Sequence, residues 1–137
     1  MSVPCAMPRR RRLPFGRRMS GRVAVGLAHV LATLPPRRIR SVLRLLRRGA
    51  RPATAVQARR ARETVVAVSL FCAGEGCVQR SLATVLLCRM RGVWPTWCLG
   101  VRTEPFRAHA WVEVDGEPIG EQQRAGYYRP LIMVPEP

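Results

Sequence analysis

Cys77 and His109 are the two residues of this chain whose types and settings best suit covalent chemistry. Cys77 opens a segment of helical character directly after the glycine-rich break at residues 74–76, and His109 lies in a segment that alternates like a β-strand. A thiol at a helix N-terminus feels the positive end of the helix dipole, which lowers its pKa toward the thiolate. A neighbouring imidazole can accept the proton and later protonate a leaving amine. The pair predicts a nucleophilic site; a small core cysteine and an ordinary core histidine are the competing interpretation.

A buried helix and a small antiparallel sheet are needed to bring these two residues together. The helix is predicted over residues 77–91, because positions 82–87 are apolar almost all round and Gly92 suits its end. Its first backbone amides are candidates to stabilise an oxyanion. Asp115 and Gly116 are typical of a tight hairpin turn. Strands are predicted at residues 97–101, 108–114 and 131–134. Helices followed by an antiparallel sheet predict an α+β fold.

The first half of the chain carries all of the excess charge. The protein has 137 residues and a formal net charge of +16, and residues 1–62 hold 17 Arg without one acidic residue. We expect a disordered Arg- and Pro-rich arm over residues 1–18, a basic helical segment over 19–62, and the core of the fold over 63–137. The basic segment either completes the fold or docks a partner, and the small size of the remaining chain favours the first.

Three helices are predicted in and after the basic segment. The first is capped by Ser20 and carries an apolar stripe at helical spacing, formed by Val23, Leu27, Val30 and Leu34. The second begins at Pro36 and ends at Gly49, and the third spans residues 54–72. Basic amphipathic helices also lie on membrane surfaces. Helices that cover a small core show the same pattern, and this second interpretation is favoured.

The cysteine and histidine content argues against a disulfide framework and a metal site. The cysteines are odd in number and form no C-x-x-C pair, and there are only two histidines. The five cysteines are Cys5, Cys72, Cys77, Cys88 and Cys98. We therefore expect no metal, no other cofactor and a reducing, cytoplasmic setting. The apolar stretch near the N-terminus falls short of the roughly 20 residues that span a bilayer, so neither a transmembrane segment nor an export signal is predicted.

Three segments around the Cys–His pair resemble one known family. They are residues 77–83 (CVQRSLA), 92–101 (GVWPTWCLGV) and 105–114 (PFRAHAWVEV). In order and spacing they are similar to the transglutaminase-like leader peptidases of lasso-peptide biosynthesis, in the stand-alone form whose leader-binding domain is a separate protein. The resemblance implies a transglutaminase/papain-like core and a cysteine protease with a Cys-His-acid triad. It also implies that the protein removes the leader from a ribosomal precursor before a partner macrolactam synthetase closes the ring.

The acidic member of such a triad must reach His109 from the neighbouring strand. Asp115 lies roughly 20 Å along the same strand at 3.3 Å per residue, so it cannot touch the imidazole. A plain two-residue loop at the hairpin places Gln122 opposite His109, whereas one bulged residue brings Glu121 to the His109 face. Both registers stay open on geometry. The resemblance favours Glu121, because the family usually carries Asp or Glu at about this distance after the histidine.

Three further residues are candidates for contact with substrate. Trp97 and Trp111 are large aromatic side chains that suit the lining of a groove, with packing in a small core as the alternative. Arg80 follows Cys77 by about one helical turn, which makes it a candidate to support the site.

Two other functions fit parts of the sequence. The same Cys–His site can pass an acyl group from a thioester to an amine, which describes a transglutaminase or amidase. Alternatively, residues 1–62 form a non-enzymatic binder of nucleic acid or of an anionic membrane surface, whose affinity falls steeply with salt. We expect the peptidase, with the leader region of the precursor as substrate. The expected partners are the leader-binding protein and the macrolactam synthetase, with no nucleic acid.

Overall fold

The structure, a computed structural model, describes residues 13–103, 105–122 and 125–137. These residues form five helices and six strands. The helices are α1 (Phe15–Leu31), α2 (Pro36–Leu46), α3 (Ala55–Val68), α4 (Leu70–Ala73) and α5 (Cys77–Met90). The strands are β1 (Arg51–Pro52), β2 (Val93–Trp94), β3 (Thr96–Thr103), β4 (Phe106–Val114), β5 (Glu117–Pro118) and β6 (Arg129–Val134). The predicted α+β class is confirmed.

Helix α5 is the centre of the fold. Every residue from Arg80 to Cys88 is buried, and the helix packs against α1, α3 and strand β4. A helix that is apolar on every face needs cover on every face, which is why the sequence predicted its burial. Cys77 is the first residue of this helix and is only partly buried. The thiol therefore lies at the edge of the core.

The main sheet has the strand order β5-β4-β3-β6, and each neighbouring pair is antiparallel. Strands β4 and β5 form the predicted hairpin, in which Val114 pairs with Glu117. Asp115 and Gly116 have φ values of 52° and 78°, and two successive positive φ values are typical of a two-residue turn. Strand β6 returns on the other side of β3. The strands β1 and β2 form a separate parallel pair that ties the chain after α2 to the end of α5.

Residues of the predicted basic segment contribute to the core. Ala24 and Ala28 of α1 lie in the same buried cluster as α5, together with Ile39 and Leu43 of α2. Helix α1 packs against α3 and α5, and α2 packs against β6. The arginines of α2 lie on its outer side, since Ile39 and Leu43 are its buried residues.

The inward face of α1 differs from the prediction. Val23, Leu27 and Val30 are about half exposed or more, whereas Ala24 and Ala28 are fully buried. The physical reason is the close approach of the helices, since a Cβ on the buried Gly21 would lie 3.0 Å from the Thr64 side chain of α3. Small residues therefore decide which face packs inward, and Val23, Leu27 and Val30 point outward, while Val25 and Leu31 pack at the edge of the core.

The start of α1 also lies earlier than predicted. The helix begins at Phe15, directly after Pro14, and so enters the predicted disordered arm. Proline suits a helix start because the first turn has no use for its missing N–H. Ser20 lies inside the helix, where its hydroxyl donates to the carbonyl of Gly16, and it is not a cap. The remainder of the predicted arm, residues 1–12, lies outside the described residues.

The third predicted helix is divided in two at Ser69. Its start is as predicted, because Thr54 and Gln57 form a capping box. At its end, Ser69 adopts an extended conformation, and its hydroxyl accepts the N–H of Cys72, which caps the short helix α4. Within the described residues, none of the helices has both the length and the apolar character needed to cross a membrane.

Candidate active site

Cys77 is placed by a tight connection between α4 and α5. The N–H of Gly76 donates to the carbonyl of Phe71 at 3.1 Å. A Cβ at position 76 would lie 2.5 Å from the Phe71 ring, so only glycine fits there. The glycine-rich break thus has a local function, because it allows the chain to turn sharply against Phe71 and to begin α5 at the cysteine.

Arg80 holds the same connection from inside the fold. Its side chain is buried, and Nη1 donates to the carbonyls of Cys72 at 3.0 Å and of Gly74 at 3.1 Å. Both acceptors lie in the segment that leads to the nucleophile. The structure therefore places the guanidinium, a candidate for contact with substrate, behind Cys77, where it binds the backbone of the chain itself.

His109 connects the cysteine to a carboxylate. Its imidazole is near enough to the Cys77 thiol that each group shifts the pKa of the other, and Nε2 lies 2.9 Å from Oε2 of Glu121. The backbone of Ala110 also lowers the pKa of the cysteine. The side chains of His109 and Glu121 retain only 16% and 11% exposure, so the ion pair is largely shielded from water. Residues from a helix, a strand and a loop thus meet around the imidazole of His109.

Glu121 reaches the imidazole by a route that differs from the predicted bulge. The hairpin is plain, with Val114 opposite Glu117, and β5 ends after Pro118. Beyond that point the chain leaves the sheet at Gly120, whose φ of 67° is in the left-handed region. This change of direction brings Glu121 to His109 without a shift of register. The alternative candidate, Gln122, is exposed.

Gly120 lies directly against an arginine of α3. A Cβ at this position would meet the Arg62 side chain at 2.8 Å. Burial lowers the pKa of Arg62, as does the charge of Arg80, while Glu121 raises it. For Glu121 itself, burial raises the pKa, but the hydrogen bond from His109 and the charges of His109, Arg62 and Arg80 together hold it below its usual value. The carboxylate is therefore ionised and faces three cationic groups.

The protonation of the pair favours a thiolate and an imidazolium. Burial alone raises the pKa of Cys77, but the hydrogen bonds from His109 and Ala110 and the charges of His109 and Arg80 outweigh it, so that the pKa lies below its ordinary value. Hydrogen bonds to Cys77 and Glu121 raise the pKa of His109 to about 9, against the opposing effect of burial. At neutral pH the histidine holds a proton that it can deliver to a leaving group.

Residues 21–133 match the protein family described as Transglutaminase-like superfamily. The chain belongs to this superfamily. Such proteins are typically Cys-His-acid enzymes, and membership indicates a cysteine-based protease or acyltransferase. The match begins within α1 and ends within β6, so it covers the basic helices as well as the sheet. Among curated proteins and solved structures, no match to the chain was found.

The other described cysteines of this transglutaminase-like protein lie in unreactive settings. Burial raises the pKa of Cys72, raises that of Cys88 to about 12 and raises that of Cys98 further still, with Glu113 adding to the last shift. Cys77 alone among the four has a lowered pKa. The thiolate is the nucleophile, so a lowered pKa favours reactivity. The pKa shifts therefore indicate Cys77, the same cysteine that its position at the start of α5 indicates.

Aromatic rings surround the histidine on the open side of the sheet. Tyr128 stacks on His109 with ring centroids 4.9 Å apart, and Trp111 stacks with its centroid 5.9 Å from the imidazole. These residues border a cleft of about 210 Å³, and Glu113 and Glu121 also line it. The candidate groove residue Trp111 therefore lies in the cleft next to the histidine.

The second candidate tryptophan lies elsewhere. Trp97 has no exposed surface, and its Nε1 donates to Oγ of Ser81 on α5 at 3.0 Å. A side chain in this position cannot contact a substrate, and the interpretation as core packing is the one that the structure supports. Its indole N–H is satisfied across the helix–sheet contact, as buried tryptophans usually require.

Two backbone amides beside the nucleophile have acceptors within the fold. The N–H of Cys77 donates to the carbonyl of Glu75 at 2.8 Å. The N–H of Gly76 donates to Phe71. The next two amides of α5, those of Val78 and Gln79, have no backbone acceptor among the described residues, so the oxyanion site at the start of this helix stays a prediction.

Two residues at the site, Arg62 and Tyr128, were not found by sequence reasoning. Gly120 carried a usable signal, since a glycine directly before the candidate acid is typical of a turn with positive φ. Arg62 and Tyr128 come from distant parts of the chain, and their approach to the site depends on helix packing and on the path of the loop before β6.

Proposed function

We propose that this protein is a cysteine endopeptidase that removes the leader peptide from a ribosomally made lasso-peptide precursor. The observation that carries the proposal is the position of His109, which lies 2.9 Å from Glu121 and lowers the pKa of the Cys77 thiol. This arrangement supplies a nucleophile, a proton donor and an orienting carboxylate, as hydrolysis of an amide requires. The leader-specific part rests on the resemblance of the segments around residues 77, 97 and 109 to that peptidase family.

The proposed reaction proceeds through a thioester. The Cys77 thiolate attacks the scissile carbonyl carbon, and the imidazolium of His109 gives its proton to the nitrogen of the departing amine as the C–N bond breaks. Neutral His109 then takes a proton from water, whose oxygen attacks the thioester carbonyl. The C–S bond breaks, and the thiolate and the imidazolium are restored. Glu121 holds the ring and balances its charge throughout.

The aromatic cleft is the proposed place for the residues next to the cut bond. It opens beside His109 and is lined by Trp111 and Tyr128. The partly exposed ring of Tyr128 gives a peptide side chain apolar contact area, and the buried Trp111 supports the cleft from below. The basic arginines of α2 face outward, and we propose that this surface docks the separate leader-binding protein or the leader itself.

This docking surface can be tested by reversing its charges. The substitutions Arg37→Glu, Arg40→Glu and Arg44→Glu alter exposed positions of α2, and they should abolish capture of the leader-binding protein in a pull-down. Capture that is unchanged would contradict this part of the proposal. The cut precursor then passes to a macrolactam synthetase, and we propose the cytoplasm as the site of action, because the nucleophile must stay reduced.

The activity is tested by incubating a candidate precursor with its leader-binding partner and the wild-type protein, Cys77→Ala or Cys88→Ala. Mass spectrometry of the products should show leader and core peptide with the wild type and with Cys88→Ala, and intact precursor with Cys77→Ala. Cys88 is a matched control because it is a buried cysteine on the same helix. Cleavage that survives in Cys77→Ala would contradict the proposal.

The superfamily also includes the second candidate, acyl transfer to an amine. The same thioester would then be attacked by an amine and not by water. The mass spectrum separates the two reactions, since hydrolysis adds the mass of one water across the two products and transfer adds the mass of the amine to the acyl fragment. A product that carries an added amine would replace the peptidase with a transferase.

A further inference from the structure

A second cleft lies at the far end of α5 from the nucleophile. It has a volume of about 310 Å³. Its lining residues come from α1, α3, the end of α5 and β2: Arg17, Gln57, Arg60, Cys88, Arg91 and Val93. Cys88 follows Cys77 along the same helix by about 16 Å at 1.5 Å per residue. The cleft is therefore separate from the Cys–His site and is not part of its chemistry.

The lining of this cleft carries positive charge without a carboxylate. Arg17, Arg60 and Arg91 each contribute a guanidinium from a different part of the fold. Burial lowers the pKa of Arg17, and the charges of Arg60 and Arg91 lower it further, while Glu63 on α3 acts in the opposite direction. Glu63, which does not line the cleft, is thus one acidic residue beside three arginines. The cleft therefore holds like charges close together, and a bound anion would relieve their repulsion.

Arg17 has an unused hydrogen-bond donor at this place. Its Nη2 donates to Oγ1 of Thr64 at 2.7 Å, which fixes the side chain against α3. Its Nε is buried and has no partner among the described residues. Buried polar groups are nearly always paired, so the guanidinium of this lining residue retains a donor that the described residues do not satisfy.

We propose that this cleft binds the phosphoryl group of a small phosphorylated molecule. Guanidinium groups bind phosphate oxygens through paired, charge-assisted hydrogen bonds. Three converging cations match a group with two negative charges better than they match a single carboxylate. The volume is at the lower end of the range of about 300–1,000 Å³ that small-molecule sites occupy, so an organic group attached to the phosphate also has room. The side-chain amide of Gln57 offers a further donor.

The test measures the melting temperature of the full chain in sodium phosphate and in sodium chloride at equal ionic strength. The variants are Arg91→Gln and Arg60→Gln in the cleft and Arg18→Gln as the control, since Arg18 neighbours Arg17 on α1 but is exposed and lies outside the lining. Wild type and Arg18→Gln should show a saturable rise with phosphate. Each cleft variant should bind about tenfold more weakly or worse, because it loses a charge-assisted hydrogen bond. Arg60 and Arg91 are both exposed, and their separate substitution keeps the test informative if one of the two variants does not fold.

Three results would overturn this inference. An equal rise of the melting temperature in all proteins would show general charge screening. No rise in the wild type would show that phosphate does not bind. An equal rise of the melting temperature with sodium glutamate would show that any carboxylate suffices. Titration with glycerol 3-phosphate beside inorganic phosphate distinguishes the source of the phosphoryl group. Tighter binding of the ester indicates a phosphorylated metabolite, and equal binding indicates free phosphate; both outcomes support the site.

Discussion

The protonation states of Cys77, His109 and Glu121 determine which chemistry the candidate site can perform at neutral pH. Cys77 is drawn toward the thiolate by His109, and His109 is held as the imidazolium by both Cys77 and Glu121. Each group raises the population of the charged form of its neighbour, so the pair forms only when all three are in place. Because the His109 pKa is raised, its proton persists as pH rises and is lost only as pH passes through about 9.

This shift predicts the alkaline limit of activity. The wild type should lose kcat/KM as pH rises through about 9, where His109 loses its proton. In Glu121→Gln the carboxylate no longer supports the imidazolium, and the alkaline limb should move down by about one pH unit, the effect of one charge-assisted hydrogen bond. The control is Glu117→Gln, because Glu117 is an exposed carboxylate on the same hairpin. An unchanged alkaline limb in Glu121→Gln would contradict the assigned contribution of Glu121.

Two short connections hold these side chains in register. The turn before α5 is fixed by Gly76 and by the buried Arg80, and the loop after β5 is fixed by Gly120 against Arg62. Neither connection belongs to a regular helix or strand, yet each sets the position of one residue of the candidate site. The geometry of the candidate site thus depends on loops that are packed against the core.

The Gly120 contact predicts a selective loss of activity. Gly120→Ala adds a Cβ that meets Arg62 at 2.8 Å, and it also carries the left-handed backbone cost of about 1 kcal/mol. Gly92→Ala has the same backbone cost at φ 80° but no atom within 4 Å of the new Cβ. We expect both variants to lower stability by a similar amount in urea unfolding, and only Gly120→Ala to lower kcat by about tenfold or more, because Glu121 is displaced. Equal kcat values for the two variants would refute this assignment.

The hydrogen bonds of Arg80 are expected to stabilise the turn before α5. In Arg80→Met the carbonyls of Cys72 and Gly74 lose their donor inside the fold, and the free energy of unfolding should fall by about 1–3 kcal/mol. The control is Arg107→Met, because Arg107 is exposed on β4. Urea denaturation of both variants checks the prediction. If the two variants unfold at the same urea concentration, the bonds of Arg80 do not support the turn.

The fold as a whole depends on the helices that precede the nucleophile. Helix α1 lies on α3 and α5 through small residues, and Val23, Leu27 and Val30 face outward. The superfamily match from residue 21 onward also includes this helix. The strongly basic half of the chain is thus, in part, structural, and only its outward surfaces are available for partners.

The close packing of α1 predicts opposite effects for two glycines of the same helix. Gly21→Leu places a side chain 3.0 Å from Thr64 and should destabilise the protein by about 1–3 kcal/mol through overpacking. Gly26→Leu has no atom within 4 Å of its Cβ and should stabilise it by about 0.5–1 kcal/mol, because leucine favours helix over glycine. Thermal unfolding of the two variants measures the difference. Equal melting temperatures would mean that α1 does not pack on the core as described.

The sequence sufficed for the features that depend on local pattern. The helix after Cys77, the hairpin turn at Asp115 and the α+β class follow from periodicity and turn chemistry. The face of α1 could not be predicted in the same way, because hydrophobicity favours Val23 and Leu27 while close helix packing selects small residues. The path of the chain that brings Glu121 to His109 could not be predicted either, since it depends on where β5 ends and not on the register of the hairpin.

The most direct test of the central claim is the rate at which iodoacetamide alkylates Cys77 as a function of pH, measured by peptide mass spectrometry. In the wild type, the pKa of Cys77 should lie below the ordinary thiol value of 9, while Cys72 and Cys88 react slowly throughout because they are buried. In His109→Ala the Cys77 pKa should rise, because the hydrogen bond and the charge that favour the thiolate are lost. A Cys77 that titrates at 9 or above in the wild type, or that is unchanged by His109→Ala, would contradict the account.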